Sequence, residues 1–225
     1  MWDILDEGSN KELFMLRNGN VYYLSDKPQD EQENAVRVIK GKINSYNILL
    51  LCLDKAVNMG TMGILEGEKI SLAFDYAMDN ILPIISIVAS GGVRVNEGTT
   101  ALMQMVKTAA AAKKYSDNGM LHIAVITNPT LGGVSASFIS LADIIIAEPG
   151  VIFGFTGKRI IQETTHEELP DDFQTAEYAK RHGMVDIIAD MKDIKYTLAE
   201  LLRFHRKICT NKDKINDVQF RNIKS

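Results

Sequence analysis

Two glycine pairs carry the chemistry that this sequence offers most plainly. Gly132-Gly133 lies inside "TNPTLGGVSASF", residues 127–138, between an apolar run and a helix-like run. Gly91-Gly92 closes the apolar run "ILPIISIVAS" in the same manner. Glycines at a strand-to-helix corner serve one of two ends. They permit a tight turn or close packing, or they aim backbone N–H groups at an anion or an oxyanion. One pair leaves both readings open. Two pairs after successive strands add weight to the second. If those strands are parallel neighbours, both loops open at one sheet edge, where α/β folds bind ligands.

Side-chain chemistry is sparser. "GVSAS" misses the G-x-S-x-G nucleophile elbow by one residue, with Ser137 in the final glycine position. A hydrolase would use Ser135 and draw its base from His122, His166, His182 or His205; small serines that let a helix pack closely are the plainer account. "GFTGK", residues 154–158, fails as a phosphate loop because Lys158 is followed by Arg159 rather than Ser or Thr. No glycine spacing matches a dinucleotide fingerprint. No histidine pair has H-x-x-x-H spacing, and Cys52 and Cys209 form no CxxC, so no metal is expected. Glu66 and Glu68 read as a solvated helix face.

The elements that must position these residues alternate. The first 40 or so residues are polar and mixed, with a loop at "SDKPQDEQEN" (25–34). "NAVRVIKGKI" and "YNILLLCLD" read as consecutive strands, and Cys52 within the second is a buried, inert thiol. "ILEGEKISLAFDYAMDN" has helical spacing through Ile64, Ile70, Phe74 and Met78. Residues 98–115 form a second helix with a stripe of Leu102, Met105, Val106, Ala109 and Ala112. "LHIAVIT" is a strand, "VSASFISLA" a short helix, "DIIIAE" a strand, "TAEYAKRHG" a helix stopped by Gly183 and "MVDIIAD" a strand. "IKYTLAELLRFHRK" is an amphipathic last helix, and the tail from Thr210 is polar. Strands alternating with helices specify an α/β domain.

The 225 residues suit one sizeable domain, and a net charge of -4 gives no signature of nucleic-acid or anionic-membrane binding. With an acidic N-terminus and no run near ~18 apolar residues, a cytoplasmic location without membrane contact is expected.

Taken in order, "ILDEGSNKEL", "SGGVRVNEG", "LMQMVKTAAA", "NPTLGGVSASF", "DIIIAEP" and "IFGFTGKRIIQETTHEELPDDFQTAEYAKRHGMVD" resemble the carboxyltransferase β subunits of bacterial acetyl-CoA carboxylases. The resemblance runs to about Lys207. It implies an α/β, crotonase-like (ClpP/crotonase) fold, a superhelix of ββα units with packed sheets over residues 1–209, with 210–225 as tail. It implies transfer of a carboxyl group from carboxybiotin, on a separate biotin carboxyl carrier protein, to the methyl carbon of acetyl-CoA, giving malonyl-CoA. A homologous α-type subunit completes the site, in an α2β2 assembly. Gly132 and Gly133 become the oxyanion hole, with Gly91 and Gly92 as a wall of the thioester pocket. Gly60, Thr61, Met62, Gly63, Arg94, Phe155 and Gly157 become substrate-binding residues. No side-chain base is needed if biotin takes the proton.

Three departures stand out. The family's four-cysteine zinc ribbon has no counterpart in this sequence, so nucleic acid is not an expected partner. The family's "GGSMG" stands here as "MGTMG", with Met59 in place of a glycine, and "GPR" stands as "GKR", adding Lys158. Two alternatives remain: decarboxylation or hydrolysis of an acyl thioester on the same fold, or a degenerate scaffold subunit.

Overall fold

The computed structural model describes residues 4–15, 21–23 and 34–205. The tail from Thr210, Cys209 and all but the last residue of the 25–34 loop fall outside them. Among the described residues, eight strands build one sheet: β1 (Lys11–Met15), β2 (Val21–Tyr23), β3 (Val36–Ile43), β4 (Tyr46–Leu53), β5 (Ile84–Ser90), β6 (His122–Thr130), β7 (Ile144–Ala147) and β8 (Ile187–Ile188). Their spatial order is β2-β1-β3-β4-β5-β6-β7-β8. Pairing is antiparallel up to β4 and parallel from β4 to β8.

Parallel strands need crossovers, and helices supply most of them. α1 (Ile64–Asn80) joins β4 to β5, and α2 (Gly98–Asp117) joins β5 to β6. After β6 come α3 (Gly132–Val134) and a π-helical turn, Ser135–Ile139. α4 (Lys158–Thr165) and α5 (Ala176–Arg181) lie between β7 and β8, and α6 (Met191–Phe204) follows. The "IIIA" and "ILLLCL" runs are continuous rather than alternating because their strands are covered on both faces. One face packs Val38, Leu49, Leu51, Ile84 and Ile126 under Phe74, Tyr115 and Phe138. The other packs Ile39, Leu50, Ile85, Ile123 and Val125 under Ile194, Leu198 and Leu202 of α6. Among the described residues no helix is long and apolar enough to cross a membrane.

Isolated bridges stand beside this sheet. Met62 pairs with Val93, and Thr130 with Phe153, both in parallel sense, beyond the ends of the main strands. These bridges line up the loops that carry both glycine pairs. The N-terminal segment, expected only to be polar and mixed, carries two strands: β1 and β2 extend the sheet, with Glu12 ion-paired to Arg37 at 2.6 Å.

Candidate active site

β5 and β6 are parallel neighbours, so the two glycine loops leave the same edge of the sheet. Backbone bonds lace these loops to those after β4 and β7. Gly91 N–H donates to the Met59 carbonyl at 3.0 Å, and Met62 N–H to the Gly92 carbonyl at 2.8 Å. Ser90 Oγ donates to the Gly60 carbonyl at 2.6 Å and accepts from Gly92 N–H at 3.0 Å. Leu131 N–H reaches the Ser90 carbonyl, and Gly132 N–H the Phe155 carbonyl, both at 3.0 Å.

The two pairs meet backbone to backbone. A Cβ on Gly92 would stand 3.1 Å from Gly132 Cα, and one on Gly132 would stand 3.0 Å from Gly92 Cα. Their φ angles, 107° and 63°, lie where side chains are rarely tolerated. Close packing, the plainer of the two sequence readings, thus accounts for Gly92 and Gly132. The same packing leaves two donors side by side. The N–H groups of Val93 and Gly133 have no acceptor among the described residues. Gly133 is the second residue of α3, where no intrahelical acceptor exists. The Cβ built on Gly92 would lie 3.5 Å from Gly133 N, and that on Gly132 3.9 Å from Val93 N. Paired, unspent N–H groups in a fixed frame suit charge that develops on an oxygen.

The family described as carboxyl transferase domain matches residues 4–205, nearly the whole chain. The chain belongs to that family. The acetyl-coenzyme A carboxylase carboxyl transferase subunit beta of Desulforamulus reducens is 44% identical over 210 residues, covering 89% of this chain and 73% of that one. The corresponding subunit beta 1 of Lachnospira eligens is 44% identical over 211 residues, with coverage of 90% and 82%. A Clostridium tetani protein named for subunits beta/alpha is 41% identical over 92% of this chain, which spans only 37% of it. Among solved structures, transcarboxylase 12S with methylmalonyl-coenzyme A superposes with a TM-score of 0.75 at 25% identity, over 89% of this chain and 39% of that one. A Pseudomonas malonate decarboxylase hetero-dimer chain gives 0.70 at 18% identity, over 100% and 92%, which speaks for the fold alone. The expected α/β crotonase-like carboxyltransferase fold is thus the fold found.

The remaining candidates of this carboxyltransferase divide by what they touch. Gly60 packs against the Ala89 carbonyl, and Met62 is buried in the core. Thr61 Oγ1 donates to the Asn58 carbonyl at 2.7 Å, and Gly63 N–H to Glu66 Oε2 at 3.0 Å. Arg94 is committed to protein groups, with Nη2 to Glu66 Oε1 at 2.8 Å and Nη1 to Glu97 Oε1 at 2.9 Å. Burial opposes its charge, and the Glu66 and Glu97 carboxylates more than offset that and raise its pKa. Phe155 exposes its ring while its carbonyl holds Gly132, and Gly157 caps the N-terminus of α4. Lys158 Nζ donates to the Pro170 carbonyl at 2.6 Å, tying that helix to the following loop. Met59 takes a left-handed conformation that favours glycine, φ 56°, and its side chain is exposed.

The hydrolase reading has no geometry behind it. Ser135 Oγ donates to the Gly132 carbonyl at 2.7 Å and to that of Gly154 at 2.6 Å, and among the described residues it makes no hydrogen bond to a histidine. Among the described residues no group of three or more His, Cys, Asp and Glu could hold a metal ion. Two features escaped sequence reasoning. Val93 as a donor was signalled only by its place after Gly91-Gly92. Glu66, expected in solvent, is buried and paired with Arg94 at 2.8 Å; its place three residues after the N-cap Gly63, the capping-box position, was the available signal.

Proposed function

We propose that this chain is the acyl-CoA-holding subunit of a biotin-dependent carboxyltransferase that converts acetyl-CoA to malonyl-CoA. The observation that carries the reading is the pair of unspent N–H groups, Val93 and Gly133, at the meeting point of the glycine loops. Removing a methyl proton from the thioester leaves an enolate, whose charge rests on the thioester oxygen. The two N–H groups hold that oxygen, and one such donor is worth about 2.7–4 kcal/mol in other enzymes. Biotin, brought on a separate carrier protein, supplies the carboxyl group and the base for the methyl proton. No side-chain acid or base of this chain is assigned a part. Gly91, Gly92 and Gly132 set the frame, Gly60, Thr61 and Gly63 form one wall with Met62 packed in the core beneath it, and Phe155 and Gly157 the opposite one, with Arg94 behind the first. Residues 1–209 are the working domain in this reading, residues 210–225 a tail, and the cytoplasm the location.

The partner is a homologous α-type subunit in an α2β2 assembly. An apolar rim supports this: Val95 is 87% exposed, Val106 61%, Leu102 53% and Phe155 59%, all on elements that carry or flank the glycine loops. The test is carboxyl transfer in reverse, with malonyl-CoA and a biotin derivative, using this chain alone and with its co-expressed α-type partner. A Gly133→Pro variant is not a clean donor deletion, because a Cβ there would overlap Val93 Cγ2. Gly132→Ala keeps both N–H groups and displaces the frame that holds them, since its Cβ would stand 3.0 Å from Gly92 Cα at a φ of 63°. Activity in the pair alone, lowered about 100-fold or more in a Gly132→Ala pair that still assembles, is expected. Unchanged activity in that variant removes the oxyanion reading. Malonyl-CoA breakdown that ignores the biotin acceptor replaces transfer with decarboxylation.

A further inference from the structure

Val93 hangs between two backbone bonds to a single residue. Met62 N–H donates to the Gly92 carbonyl just before it at 2.8 Å, and Arg94 N–H just after it donates to the Met62 carbonyl at 2.9 Å. The direction of the Val93 N–H therefore depends on where the 61–63 strand segment sits. One side chain ties that segment to the loop after β5. The Arg94 guanidinium gives Nη2 to the Thr61 carbonyl at 3.0 Å and to Glu66 Oε1 at 2.8 Å. It gives Nη1 to Glu97 Oε1 at 2.9 Å and Nε to Thr61 Oγ1 at 3.3 Å. The second oxygen of each carboxylate takes one of the N–H groups that open α1: Gly63 N–H on Glu66 Oε2 at 3.0 Å, and Ile64 N–H on Glu97 Oε2 at 2.7 Å. The cluster closes on itself, from the loop after β5 through α1 and back.

We infer that Arg94, through Glu66 and Glu97, is a positioning residue that aims the Val93 N–H at the thioester oxygen; this rests on the reading of Val93 and Gly133 as the oxyanion donors. The loop needs such a brace. Two of its residues are glycines, which leave the backbone with more freedom than any other residue. A donor assists the reaction only if it is already in place when charge develops. A planar fork is required as well, because one group must reach a carbonyl, a hydroxyl and two carboxylates lying in different directions. Lysine keeps the charge and loses the fork. The Glu66 carboxylate is nearly sealed, with 2% side-chain exposure, so complete removal of Arg94 would strand a buried charge and report on folding instead.

The experiment uses the complex with the co-expressed α-type partner. Wild type, Arg94→Lys and Glu97→Gln are compared in reverse transfer, and in binding of acetyl-CoA and carboxymethyl-CoA, whose carboxylate imitates the enolate oxygen. Wild type is expected to prefer carboxymethyl-CoA. In Arg94→Lys, kcat falls about tenfold or more, KM for malonyl-CoA moves less than about threefold, and the preference for the carboxylate probe shrinks in step with kcat. Glu97→Gln leaves one acceptor oxygen where the carboxylate has two, so it breaks one arm of the brace and should lower kcat by less than Arg94→Lys does, with KM nearly unchanged; wild-type kcat in it counts against the brace. An Arg94→Lys complex with wild-type kcat and preference overturns the inference. So does one whose loss lies wholly in KM, which would make Arg94 a substrate contact. Absence of the preference in wild type is a different failure, that of the donor reading itself, and the inference falls with it. If Arg94→Lys does not assemble, Glu97→Ala, which cuts the same brace, must show the kcat loss, and its failure to do so counts against the proposal.

Discussion

His122 shows how far a side chain's meaning depends on its surroundings. It is one of four histidines that a serine hydrolase would need to draw on, yet it stands inside the core. Phe74 meets its ring edge-on at 5.2 Å, Phe138 stacks at 6.4 Å, and Ser86 Oγ shares a 2.8 Å hydrogen bond with Nε2. Burial drives its pKa down from 6.5 to about 3, so it is neutral in the fold. The folded pKa lies below the unfolded one. The unfolded chain therefore takes up a proton below pH 6.5 that the folded chain refuses until about pH 3. Stability is complete above 6.5 and declines as pH falls through that window, by at most about 1.4 kcal/mol per pH unit. In a Ser86→Ala/His122→Leu double variant, urea midpoints at pH 7, 5.5 and 4.5 should fall less steeply than in wild type. Equal slopes would place the acid sensitivity elsewhere. Cys52 follows the same rule in the other direction: burial pushes its thiol up to about 12, and it stays an inert core residue as its apolar neighbours implied.

At the scale of elements, strands were legible and helix faces less so. The β3–β4 hairpin falls where two apolar runs flank a short polar gap, and its two turn residues, Asn44 and Ser45, both have positive φ, 47° and 70°. That is a type I′ turn, for which Asn-Gly is the favoured pair. Asp6 accepts both turn N–H groups, at 3.0 and 2.7 Å, and so binds the N-terminal segment to the hairpin. Ser45→Gly keeps those N–H groups and relieves the left-handed cost, less some of glycine's extra chain entropy. It should stabilise the chain by about 0.5 kcal/mol in chemical denaturation. A destabilised variant would contradict this account of the turn. In α2 the expected stripe is only half correct: Met105 and Ala112 face inward, whereas Leu102 and Val106 face outward, and Ala101, Thr108 and Tyr115 complete the buried face. Hydrophobicity marked both faces, so periodicity could not choose between the core and the rim. α4 was unreadable for the opposite reason, since none of its eight residues is buried.

At the scale of the molecule, exposed Met59, Val95, Leu102, Val106 and Phe155 lie on elements that carry or flank the glycine loops, which is why the partner is placed there, while exposed Tyr196 and Phe204 lie apart on α6. Val106→Glu tests this without touching the site. It should change the stability of the isolated chain by less than about 0.5 kcal/mol. It should weaken binding to the α-type subunit at least about tenfold, as read by titration of labelled chains. Unaltered binding would move the interface to another face.

By itself, the sequence determined the order of most elements from β3 onward, α4 excepted, and the two glycine corners, because strand and turn propensities act over a few residues; that the corners share one edge waited on the parallel pairing of β5 and β6. Together with the motifs, it also determined the family. Tertiary structure alone decided which amides remain unspent. That outcome depends on hydrogen bonds between loops about 30 to 40 residues apart in the chain, such as Met62 to Gly92 and Leu131 to Ser90. The same distance hid the Glu66–Arg94–Glu97 cluster, whose charges look solvated until the sheet brings the two loops together.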